Sequence, residues 1–135
     1  MKTLTLIFTL ACALAVGSVY AHHPTAAIGT VRITQPVMAG GAVLQPGTYE
    51  VRDSGEHVTP LPGQSEDAQT RVEFVQNGRV VARDVAEAMP AGPGAVGTSG
   101  AGTRLRFERL RGDDFFRVSG FLGGQRLLIH LPTAR

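Results

Sequence analysis

The side chains best able to hold a metal are the histidines His22, His57 and His130. If a peptidase cuts after Ala21, His22 becomes an N-terminus whose α-amine and imidazole chelate copper(II) together. One further imidazole, from His57 or His130, then completes the tetragonal nitrogen set that copper(II) favours. His23-Pro24 stands where a three-residue N-terminal chelate would need histidine in third place. This copper-binding reading is the alternative to the one developed below.

Motifs for covalent or nucleotide chemistry do not survive inspection. Gly92-Pro93-Gly94-Ala95-Val96-Gly97 spells G-x-G-x-x-G. Phosphate binding there needs a helix N-terminus directly after the glycines. Thr98-Ser99-Gly100-Ala101-Gly102 follows instead and cannot begin a stable helix. The serines Ser54, Ser65, Ser99 and Ser119 lack a G-x-S-x-G elbow. The acidic pairs Glu66-Asp67 and Asp113-Asp114 are adjacent in turns, so their carboxyls point apart rather than facing each other across a substrate. Arg111-Gly112-Asp113 falls where a hairpin turn wants Gly and Asp. The expectation is a protein that is not an enzyme.

A surface is the stronger candidate. Period-two alternation puts Leu105 and Phe107 on one face of a strand and Arg104, Arg106 and Glu108 on the other. In the next strand Phe116 and Val118 oppose Phe115, Arg117, Ser119 and Phe121. In the last, Leu127, Ile129 and Leu131 oppose Arg126, Leu128 and His130. With the aliphatic sets inward, Arg104, Arg106, Phe115, Arg117, Phe121, Arg126 and His130 share the outer face. Arginine among aromatics suits a partner protein, or an anionic glycan or lipid headgroup.

The elements that must position these residues are short strands. Seventeen glycines and eight prolines punctuate brief apolar runs, and no stretch after the leader holds an apolar helical period beyond two turns. Strands are expected at 28–34, 36–39, 42–45, 48–53, 70–76, 79–88, 103–110, 114–122 and 125–131. Asn77-Gly78 and Gly123-Gly124 are two-residue hairpin turns, which need positive φ twice. Pro46-Gly47 reads as a type II turn with glycine at its third position. With no helix to serve as a crossover, the pairing is antiparallel. A single all-β domain follows, a β-sandwich or small barrel of about eight strands. Two long loops, about 54–69 and 89–102, interrupt it, and the second is expected to be mobile.

The chain opens with Met1-Lys2, an uncharged run from Leu4 to Val16, and Val19-Tyr20-Ala21. That is a signal peptide over 1–21, with a run well short of the roughly 20 residues that span a bilayer. Nothing later is apolar enough to span. Cys12, the only cysteine, leaves with the leader, so the domain 22–135 carries no thiol. It holds twelve arginines against eleven carboxylates, a balance that makes no case for nucleic acid. The location expected is periplasmic or secreted.

Around the first turn, Val43-Leu44-Gln45-Pro46-Gly47-Thr48-Tyr49-Glu50-Val51 resembles a set of small exported bacterial β domains of unassigned function. In these a strand, a proline-glycine turn and a Thr-Tyr-x-Val strand recur, and the hairpin 72–82 fits the same pattern. The resemblance implies the fold and export, and supplies no residue roles. The histidine at position 22 is separately similar to the N-terminus of small exported copper-handling β-sandwiches. The function expected is a non-enzymatic binding, accessory or structural module of the cell envelope.

Overall fold

Alternation of apolar and polar residues, cut by glycine pairs, yields nine strands and no helix among the residues described, 26–95, 97–112 and 114–135 of a computed structural model. The expected signal peptide and His22 lie outside them. The strands are β1 (Ala27–Ile33), β2 (Val37–Ala39), β3 (Ala42–Leu44), β4 (Gly47–Asp53), β5 (Gln69–Gln76), β6 (Arg79–Pro90), β7 (Arg106–Arg109), β8 (Phe115–Leu122) and β9 (Gln125–Pro132). Asn77 and Gly78 have φ of 51° and 74°, and Gly123 and Gly124 have 57° and 78°. Both pairs therefore make the expected mirror-image turns, whose twist matches that of the strands they join.

Pro46-Gly47 behaves differently. Gly47 is not left-handed; it is the first residue of β4, paired with Ile33. A Cβ there would come within 2.9 Å of the Gln76 side-chain amide, whose flexible end can give way. The type II assignment is thus corrected.

Seven strands form one antiparallel sheet in the order β1-β4-β5-β6-β9-β8-β7, with β2 and β3 as a separate hairpin. The sheet curls until its edges meet, so the fold is a nearly closed barrel rather than a sandwich. Closure is a single parallel bridge between Thr30 and Arg104. There the Thr30 N–H donates to Thr103 O (2.7 Å) and the Leu105 N–H to Thr30 O (2.8 Å). The Leu105 side chain fits between β1 and β8 because both strands carry glycine where it enters. A Cβ on Gly29 would lie 2.8 Å from it, and one on Gly120 2.5 Å.

The interior holds Val31, Val51, Val72, Phe74, Val118 and Leu131, all essentially without solvent contact. The β2–β3 hairpin closes one end, burying Val37, Ala39 and Leu44 in the same core. Below the bridge the edges of β1 and β7 part, leaving a groove of about 610 Å³ beside Arg32 and Phe107.

The strand order explains one long loop. To lie next to β1, β7 must start three strands away from β6, so the chain crosses the ends of β9 and β8, about 14 Å at the usual strand spacing. The expected mobile stretch 89–102 begins later, because Met89 and Pro90 continue β6 opposite Arg126 and Gln125. Its end is tied to β1: Gly100 N–H donates to Ile28 O (3.1 Å), and Thr30 Oγ1 donates to Ala101 O (3.2 Å).

Candidate anion-binding face

Pairing across β7, β8 and β9 turns the alternation of three strands into rows. Arg106 stands opposite Ser119 and Glu108 opposite Arg117. Arg117 in turn faces His130, Ser119 faces Leu128, and Phe121 faces Arg126. Phe116, Val118, Leu127, Ile129 and Leu131 point into the core. The outer face therefore carries the arginines read from the sequence.

One carboxylate works inside this group. Glu108 makes an ion pair with Arg106 on its own strand and with Arg117 Nη2 across the ladder (2.9 Å). The Arg117 hydrogen bond, helped by the nearby charges of Arg106 and Arg126, holds the Glu108 carboxyl below its ordinary range. Arg117 Nε is buried without an acceptor among the described residues, so Glu108 is what anchors that guanidinium. Glu87 shares a row with Leu128, Ser119 and Arg106 but forms no ion pair with a described arginine. Arg104 and Arg126 likewise have no ion pair or side-chain hydrogen bond among the described residues.

The crossing loop folds over one end of the face. Gly97 lies on the Phe121 ring so closely that a Cβ would sit 1.9 Å from it. Between this loop and the strands is a cavity of about 340 Å³, lined by Thr98, Arg104, Arg106, Ser119, Phe121 and Arg126 among others. Four of the seven predicted surface residues thus share one cavity: Arg104, Arg106, Phe121 and Arg126. Arg117 and His130 adjoin it. Phe115 does not, for it sits opposite Pro132 at the far end of β8, 47 % exposed. Six residues of strand separate it from Phe121, about 20 Å.

Three features escape sequence reading. The Glu108–Arg117 pair depends on strand register, and the loop wall depends on Gly97 meeting Phe121. The lack of a Cβ at position 97 is visible in the sequence, but what approaches it is not. A third is Arg109, whose guanidinium lies 5.3 Å from the centre of the Phe116 ring and whose Nη2 donates to Gln35 (2.8 Å). Phe116 also stacks on Phe107, with centroids 4.7 Å apart.

The histidines are placed apart from one another in kind. His57 borders a cavity of about 410 Å³ with Asp53, Glu56, Glu66 and Asp67, whereas His130 stands on β9 beside Arg117. No three His, Cys, Asp or Glu side chains among the described residues gather as a metal site.

No family model matches this chain, and no curated protein or solved structure matches it. Fold and surface together define it as a small all-β barrel with an arginine-rich outer face. Among the described residues no helix is long and apolar enough to cross a membrane.

Proposed function

We propose that this chain is an exported, non-enzymatic binding module of the cell envelope that docks an acidic partner on the outer face of β7–β9. The observation that supports the reading is the charge imbalance there. Arg104, Arg106, Arg117 and Arg126 share the face, and among the described residues Glu108 alone pairs with any of them. Arg104, at the bridge that closes the barrel, and Arg126, on β9, make no ion pair among the described residues, so their guanidinium groups are available to an external anion. Export rests on the Met1–Ala21 leader.

The test uses the two arginines that make no internal ion pair. Arg104→Glu with Arg126→Glu should leave the thermal midpoint within a few degrees of the parent and abolish capture of envelope components. Retained capture would refute the docking face. Intact mass of the exported form should start at His22; a mass starting at Met1 would refute export.

A further inference from the structure

We propose that the cavity under the crossing loop is a binding site for the phosphate group of a water-soluble phosphorylated sugar, a proposal that rests on the docking reading above and narrows its ligand. Three guanidinium groups reach this cavity from three separate places: Arg104 before β7, Arg106 on β7 and Arg126 on β9. Each carries five N–H donors in a planar fork. A carboxylate offers its lone pairs in one plane and is satisfied by one such fork. A phosphate monoester presents three oxygens in a tetrahedron with a charge of about −1.5 to −2, so it takes donors from several directions. The hydroxyls of Ser119 and Thr98 add neutral donors to the same cavity.

The charge count agrees. Glu108 already pairs with Arg106 and Arg117; Arg104 and Arg126, the latter also near the Glu108 charge, make no ion pair among the described residues and can take a dianion. No carboxylate lines the cavity. Its size, about 340 Å³, lies at the small end of ligand sites and suits one phosphate with one sugar ring. The Phe121 ring, with Gly97 flat against it, supplies an apolar wall.

A bilayer surface fits less well. Lipid contact would want exposed apolar side chains around the arginines. Among the described residues Met89 beside Arg126 is the one large apolar residue near the cavity that is exposed, and Phe115 is at the other end of β8.

The test follows the guanidinium Nε–Hε signals of the whole exported protein by NMR during titration. The probes are inorganic phosphate, glucose 6-phosphate, acetate, and vesicles of phosphatidylglycerol in phosphatidylcholine. The expected result is saturable shifts of Arg104 and Arg126 with both phosphates, tighter with the sugar phosphate, and none with acetate. Arg126→Gln should weaken binding by about tenfold or more, as expected for loss of a charge-assisted contact. Gly97→Val, which displaces the loop wall, should weaken the sugar phosphate more than inorganic phosphate.

Equal response to acetate, binding undiminished in Arg126→Gln, or response to vesicles alone would overturn the proposal. The docking reading fails separately, through envelope capture retained in the Arg104→Glu, Arg126→Glu protein. Capture lost with no phosphate response would sink this inference and leave that reading standing.

Discussion

The barrel has two outer faces rich in arginine, and they are built on different principles. On β4–β6, Arg52 pairs with Glu50 (2.7 Å), Arg83 with Glu73 (3.0 Å) and Arg71 with Glu56 (3.1 Å). Glu73 is 8 % exposed, its charge covered by Arg83 with Arg52 nearby. On β7–β9, Glu108 pairs with two arginines and feels the charge of Arg126, while Arg104 and Arg126 make no ion pair among the described residues. Arg79, at the hairpin end of β6, also makes no ion pair among the described residues, but Arg104 and Arg126 differ from it in sharing one cavity. The pairs on β4–β6, of which only Glu73–Arg83 spans a ladder, stabilise modestly, but they cancel the field. An unmatched cluster keeps its potential and attracts anions.

That contrast exists only while the barrel is closed, so the largest effect should come from its seam. Leu105→Ala removes the side chain seated between Gly29 and Gly120. It should cost about 2–5 kcal/mol in denaturant melts, the range for a buried leucine. It should also loosen Arg104 and Arg106 without touching the β4–β6 pairs. A cost near zero would mean that Leu105 does not hold the edges together.

A smaller effect separates the two faces directly. A double-mutant cycle on Glu73 and Arg83 should give a coupling of roughly 0.5–1 kcal/mol, toward the upper end for such pairs because Glu73 is buried. Arg104→Ala and Arg126→Ala should each change stability by less than about 0.5 kcal/mol, as surface changes usually do. Comparable costs on both faces would erase the distinction.

The smallest effect is one of pH. The folded protein depresses Glu108 below its ordinary 4.5 through Arg117. A depressed carboxyl contributes stability that is present above its unfolded value and lost as pH falls through the folded one. The Glu108 carboxyl carbon should therefore titrate in NMR with a midpoint under 4.5. Arg117→Ala should move that midpoint up. A midpoint unchanged by that substitution would assign the depression to another group.

Much of the architecture could be read from local signals. The expected strand 79–88 is β6 at 79–90, and 125–131 is β9 at 125–132. Asn77-Gly78 and Gly123-Gly124 turn as their chemistry requires, because positive φ is a property of one or two residues. The alternation at 104–108, 115–121 and 126–131 placed arginines outward and aliphatics inward, since strand faces repeat every two residues. Where a local rule was applied without knowing the neighbours it slipped: Gly47 pairs with Ile33 in β4 and does not take a left-handed φ.

Tertiary structure decided the rest. No residue in isolation says that β7 returns to β1, or that the sheet becomes a barrel and not a sandwich. Those depend on Leu105 finding two glycines, 29 and 120, in strands distant along the chain. The same holds for the site. Arginines on one strand face are legible as a pattern of two. Which of them meets a carboxylate, and which meets the wall made by Gly97 and Phe121, follows from register and loop path. These are set by contacts between segments far apart in sequence, whose closure costs entropy that only the assembled core repays.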